Sequence, residues 1–178
     1  MVDSSPQGRP SVLNRLSWLS DATQEEDPDP QALTAQAESG ALAVLDLSAN
    51  RRFSFLDAPA RSRLIERIAC AASSSGTLRT VLLNDLQLDN SNAPAVASLL
   101  RSSSTGCLRA VALERNLLSE EGLLLLADAL RCSMLSEVSL ANQRTAISTA
   151  AVLQLLDAME ATACRTHLVA PQHTALAS

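Results

Sequence analysis

The residues that could carry reaction chemistry are few and badly placed for it. Both histidines, His167 and His173, fall within the last twelve of 178 residues. Cys70, Cys107, Cys132 and Cys164 form no C-x-x-C pair, and their separations of 37, 25 and 32 residues match no common zinc spacing. They read as small buried hydrophobes in a reducing compartment. The acid pairs Glu25-Glu26 and Glu120-Glu121 read as linker charge and helix-cap charge. No H-E-x-x-H, G-x-S-x-G, P-loop or G-x-G-x-x-G occurs, and the five glycines stand singly, so no phosphate cradle is expected. The expectation is a non-enzyme without cofactor or metal.

A different chemistry recurs, that of a carboxamide at the end of a short strand. Residues 108–116 place Leu108, Val111, Leu113 and Asn116 in the spacing L-x-x-V-x-L-x-x-N. Leu42, Leu45, Leu47 and Asn50 repeat it. Leu78, Val81 and Leu83 repeat it with Leu86 at the Asn position, and Leu135, Val138 and Leu140 with Gln143 there. The starts at 42, 78, 108 and 135 lie near the leucine-rich-repeat period. Alternate strand residues share a face, so Val111 and Leu113 point inward together. An amide at the exit can satisfy backbone groups that no ladder reaches.

Helices must cover those strands. Ser119 is a plausible N-cap, with Glu120 and Glu121 in the first turn and Leu118 and Leu123 as a staple. Ser148 caps similarly, with Ile147 and Val152 as staple and Val152, Leu155, Leu156 and Met159 as one apolar stripe. Asp57 precedes a helix burying Leu64, Ile65 and Ile68; Asn92 precedes one burying Val96, Leu99 and Leu100. One strand–helix unit cannot cover its own apolar face, but a stack can. The expected fold is therefore α/β: a short right-handed leucine-rich-repeat solenoid with a parallel β-sheet on the inner face and helices outside.

Composition agrees. Apolar residues make up 47% of the chain, but there are only one Trp, two Phe and no Tyr, so aliphatic side chains must fill the core. Net charge is -5, all fourteen basic residues are Arg, and no basic block occurs, which argues against nucleic acid. Neither a signal peptide nor a membrane span is read, so a cytoplasmic monomer is expected. The expected organisation is a disordered 1–10, an N-terminal helical cap and acidic linker over 11–40, the repeat domain over 41–170 and a frayed tail over 171–178. Within it, residues 11–22 read as an amphipathic helix. Residues 24–30 read as a solvated turn and 30–40 as a short helix stopped by Gly40. A degenerate fifth strand is expected around 167–169.

The sequence resembles the C-terminal leucine-rich-repeat domain of tropomodulins and leiomodins. The resemblance rests on EGLLLLADALR (121–131) followed by LSEVSLANQRT (135–145), whose strand ends in Asn142-Gln143. It rests also on LERN (113–116), on the missing Asn at Leu86, and on the DPDP turn before the first repeat. It implies actin binding, in pointed-end capping or related cytoskeletal regulation, through strand-to-helix loops. Carried onto this chain, the partner-binding rim comprises Arg52, Asp85, Arg115, Asn116 and Arg144. The family's N-terminal half and basic C-terminal helix have no counterpart in this sequence, so weak binding is expected, since linked sites raise each other's effective concentration. The alternative is a generic repeat scaffold using its concave face. There Asp46, Leu82, Ala112 and Ser139, flanked by Ser48, Asn84, Glu114 and Ala141, offer no aromatic anchor or coherent charge.

Overall fold

Each repeat begins with a three-residue strand whose middle side chain is aliphatic and buried. These are β1 (Val44–Asp46), β2 (Thr80–Leu82), β3 (Ala110–Ala112) and β4 (Glu137–Ser139), with Leu45, Val81, Val111 and Val138 at their centres. A fifth strand, β5 (Arg165–His167), completes one parallel sheet in sequential order β1-β2-β3-β4-β5. The register is continuous: Leu45 lies opposite Val81, Val81 opposite Val111, Val111 opposite Val138, and Val138 opposite Thr166. The computed structural model describes residues 27–161 and the backbone of 165–167. The segments read as an N-terminal helix (11–22) and a frayed tail (171–178) lie outside the described residues.

Parallel neighbours require a crossover, and here each is a helix on the same side of the sheet. Helices α3 (Ala58–Ser74), α4 (Ala93–Ser102), α5 (Glu120–Arg131) and α6 (Thr149–Glu160) pack side by side in chain order, and α1 (Pro30–Glu38) packs against α3. Between the two layers lie Leu47, Leu83, Leu113 and Leu140, one from each repeat and none more than 3% exposed. Leu64, Ile65, Ile68, Val96, Leu99 and Leu100 meet them from the helices. This is the layered solenoid that the aliphatic spacing predicts.

Local details differ from expectation in ways the side chains explain. The Asp57 carboxylate caps α3, accepting from the Ala60 N–H at 2.7 Å, and Ser148 caps α6 through the Ala151 N–H at 3.2 Å. Ser119 stands at the N-cap of α5 without bonding the helix, because its hydroxyl accepts from Asn90 Nδ2 at 2.6 Å in the neighbouring repeat. Asn92 makes no side-chain cap either: its Oδ1 accepts from the Asp89 N–H at 3.4 Å, while its Nδ2 donates to the Ala58 carbonyl at 3.0 Å and to Ser62 Oγ at 2.9 Å, tying α4 to α3. The α6 stripe is narrower than expected. Ala151, Leu155, Ala158 and Met159 are buried, while Leu156 and Leu153 face out.

Cys70, Cys107 and Cys132 are not core residues, and Cys164 lies outside the described residues. Cys70 and Cys132 are exposed and Cys107 is half-buried, because they sit on outer helix surfaces and in an inter-repeat loop. The fifth strand starts at Arg165, two residues before the expected His167. A short helix, α2 (Arg51–Ser54), also goes unforeseen; it buries Phe53 completely.

Candidate functional site

The edge where each strand turns toward its helix is built around one backbone shape. Ala49, Asp85, Arg115 and Asn142 occupy the same place after β1, β2, β3 and β4, and all have a left-handed φ, between 53° and 57°. No glycine is used, although a side chain in this region costs roughly 1–2 kcal/mol. The hydrogen bonds account for it. Beyond the strands, the N–H of Ala49 donates to the Asn84 carbonyl at 2.8 Å, that of Asp85 to Glu114 at 2.8 Å and that of Arg115 to Ala141 at 3.1 Å. The left-handed residue thus adds one more rung to the ladder while the chain reverses.

The residue after each of these points inward. Asn116 is wholly buried. Its Nδ2 donates to the carbonyls of Leu83 at 2.8 Å and Leu113 at 3.0 Å, and its Oδ1 accepts from the N–H groups of Leu86 at 3.0 Å and Leu88 at 3.2 Å. It therefore ties the third turn to the second and has no surface to offer a partner. This corrects its placement on the rim: the carboxamide is consumed by backbone that would otherwise be unpaired. Gln143 ties the fourth turn to the third in a similar way, donating to the Leu113 carbonyl at 2.7 Å, but its Oε1 is buried without a protein partner. Asn50 ties the first turn to the chain before it. Its Oδ1 accepts from the Phe53 N–H at 2.8 Å and its Nδ2 donates to the Pro28 carbonyl at 2.9 Å. Asp27 adds a carboxylate to the Arg51 N–H at 2.8 Å. So residues 27–29 are docked on the first turn, where the sequence suggested only a solvated link.

The other four rim residues do reach the edge. Arg52, Arg115 and Arg144 are exposed and Asp85 is half-buried. Asp85 and Arg144 are joined, Oδ1 to Nη2 at 2.6 Å, across the intervening third turn. Arg51 and Asn142, at the starts of the first and fourth loops, are exposed there too, and so by 88% is Phe55, which sequence reasoning did not pick out. Further in, a second polar column links the turns along the sheet. Asn84 Nδ2 donates to Ser48 Oγ at 3.3 Å, Asn84 Oδ1 accepts from the Glu114 N–H at 2.8 Å, and Ser139 Oγ donates to Glu114 Oε1 at 2.5 Å. Ser139 and Ala141 are buried rather than displayed on the concave face.

Away from this edge the surface offers less. A shallow groove between α4 and α5 is lined by Asn90, Pro94, Glu121, Leu124, Leu125 and Asp128. Asp89, at the entrance to α4, has its carboxyl held below the ordinary value, chiefly by the Ser91 hydroxyl, with burial opposing. Glu38 is lowered by its hydrogen bond from Arg67, with which it makes a two-pronged pair at 2.8 Å. Among the described residues, no group of three His, Cys, Asp or Glu side chains could hold a metal ion. No helix among them is long and apolar enough to cross a membrane.

Compared with solved structures, this architecture matches a structure entitled "Leiomodin-1 Actin-Binding Site 2". The TM-score is 0.66 at 15% identity, over 81% of this chain and 82% of that one. It also matches the C-terminal domain of Caenorhabditis elegans tropomodulin, with a TM-score of 0.64 at 16% identity over 83% and 86% of the two chains. The fold is that of the tropomodulin and leiomodin repeat domain. No family model matches the sequence, and no curated protein does. At such identity the tropomodulin-like fold is carried by the aliphatic layer and the turn geometry, which many side-chain combinations can satisfy.

Proposed function

We propose that this chain is a non-enzymatic, tropomodulin-like protein-binding domain that engages actin at or near the filament pointed end through its strand-to-helix rim. The observation that carries the reading is the charge of that rim. In a chain of net charge -5, the exposed turn positions present Arg51, Arg52, Arg115 and Arg144. The half-buried Asp85 is neutralised by Arg144. Such an edge suits a partner surface rich in carboxylates, and complementary potentials steer association and fix its register. The solved structure of similar fold that bears the name of an actin-binding site supports the choice of partner. On this reading Arg52, Arg115 and Arg144 contact the partner, Asp85 orients Arg144, and Asn116 only holds the turn. The protein acts as a cytoplasmic, cytoskeleton-associated monomer.

The test is pyrene-actin elongation from gelsolin-capped filaments, where only pointed ends grow, with the purified chain titrated to high micromolar. Slowed growth that Arg115→Glu abolishes without lowering the melting temperature is the expected result. No effect of the wild-type chain at any concentration would reject actin as the partner.

A further inference from the structure

Phe55 is one of three aromatic residues in the chain, and it is 88% exposed. Its neighbour in the same turn, Phe53, is fully buried and belongs to the core. The contrast is built into rigid backbone. The N–H of Phe53 is capped by Asn50 at 2.8 Å, and the Phe55 N–H donates to the Arg51 carbonyl at 3.0 Å. Ser54 Oγ donates to the Asn50 carbonyl at 3.1 Å, and Asp57, two residues after Phe55, caps α3. Leu56 packs against the core. With Phe53 buried, Ser54 half-buried and Leu56 packed partly against the core, Phe55 is the residue of this turn left facing out, on a backbone already fixed by these contacts.

We infer that Phe55 is the apolar anchor of the rim, seated on binding in a hydrophobic pocket of the partner protein while the neighbouring Arg51 and Arg52 meet carboxylates around that pocket. This rests on the actin-binding reading above and deepens it. Three features point to it. Aromatic and arginine side chains together are the usual composition of a binding hot spot. The first turn is continuous with the arginine-bearing edge formed by Arg115 and Arg144. And the concave sheet face offers no aromatic anchor, its central positions being Asp46, Leu82, Ala112 and Ser139. A lipid surface fits less well. Phe55 is the one large apolar side chain exposed on this turn, whereas interfacial anchoring buries a whole apolar face.

The experiment compares the wild-type chain, Phe55→Ala, Phe55→Leu and Arg115→Glu in pointed-end elongation and filament co-sedimentation, with thermal melts of each. Phe55→Ala should weaken binding tenfold or more with an unchanged melt, since its ring touches little of the fold, and Phe55→Leu should recover most of the loss. A loss below threefold for Phe55→Ala, with wild type binding and Arg115→Glu impaired, overturns the anchor and leaves the actin reading standing. A wild type that does not bind filaments overturns both. Parallel co-sedimentation with phosphatidylserine–phosphatidylcholine vesicles is the other arm. If wild type sediments with vesicles and Phe55→Ala does not, the ring is a membrane anchor and the protein pocket is rejected.

Discussion

Arg144 reaches across a whole repeat to pair with Asp85, its Nη2 lying 2.6 Å from Oδ1 although 59 residues separate the two in sequence. The side chains remain 50% and 34% exposed. Water and salt therefore screen the pair, and its contribution to folding should be small, in the range of about 0.2–1 kcal/mol. A double-mutant cycle with Arg144→Ala and Asp85→Ala in urea should return a coupling energy in that range, shrinking in high salt. Binding should respond differently. Asp85→Ala leaves Arg144 without its tether, so affinity should fall through slower association or lost register while stability stays within about 0.5 kcal/mol. A coupling above about 2 kcal/mol would mean the pair is structural, and its place in the rim would have to be given up.

Asn116 should behave in the opposite way. Leu86 occupies the equivalent place one repeat earlier and is also fully buried, so the turn can accommodate a Leu side chain. Asn116→Leu therefore isolates the hydrogen bonds from the packing. It strands the N–H groups of Leu86 and Leu88 and the carbonyl of Leu83, while the Leu113 carbonyl keeps its bond from Gln143 Nε2. Each unsatisfied buried group costs on the order of 1–3 kcal/mol, offset to some degree by relaxation. A loss of about 3 kcal/mol or more in urea unfolding is expected. A change under about 1 kcal/mol would show that water reaches these groups and that the amide is dispensable.

How much of this was readable in the sequence depends on what repeats. The aliphatic positions recur because every turn of the solenoid buries the same layer, and so Leu47, Leu83, Leu113 and Leu140 could be placed in advance. The left-handed turn also recurs, but as a backbone shape shared by Ala, Asp, Arg and Asn, and no residue type announces it. Helix α2 is four residues long, too short for periodicity, and nothing in RRFSF says which Phe turns inward. The Asp85–Arg144 pair required knowing the stacking first. The cysteines misled because residue type alone does not set burial: Cys70 falls on the exposed face of α3, Cys132 is exposed just past the end of α5, and Cys107 is half-buried in the loop before β3. Ser119 and Asn92 fit the cap pattern locally, but the Ser119 hydroxyl is taken up by Asn90 of the adjacent repeat and the Asn92 Oδ1 by the Asp89 N–H.

Gly106 marks a close approach between two repeats. A Cβ there would stand 1.8 Å from the Ala72 carbonyl oxygen and 3.1 Å from Ser73 Cα, both backbone atoms of α3. No rotamer change relieves such a contact, so Gly106→Ala must move the loop before β3 away from α3. A destabilisation above about 2 kcal/mol is expected, beyond the middle of the usual overpacking range. Gly76 supplies the control, since a Cβ there meets nothing within 4 Å. Gly76→Ala should change stability by no more than about 1 kcal/mol, with the sign favouring the folded chain. Equal effects of the two substitutions would contradict the close approach.

Acid should unfold the chain through two carboxylates among others, and salt can tell these two apart. Asp89 is held below its ordinary value chiefly by the Ser91 hydroxyl, then against burial by the Ser91 N–H, the Arg61 charge and the Asn92 N–H. Glu38 is lowered chiefly by its hydrogen bond from Arg67, and both of those side chains are more than a third exposed. A carboxylate whose value is lower in the folded than in the unfolded state stabilises the fold fully above the unfolded value. It loses that contribution as pH falls through the folded one. The loss should therefore begin near pH ~4, the ordinary carboxylate range, and continue below it. Asp89→Asn and Glu38→Gln should each flatten the fall of melting temperature with pH in that window. The Glu38 contribution belongs to an exposed ion pair and should largely vanish in 0.5 M salt, where the Debye length shrinks to roughly 4 Å. The Asp89 contribution depends first on a short-range hydrogen bond from a neutral hydroxyl and should persist. If the wild-type and Asp89→Asn profiles coincide in high salt, the Ser91 bond does not hold the carboxylate as described.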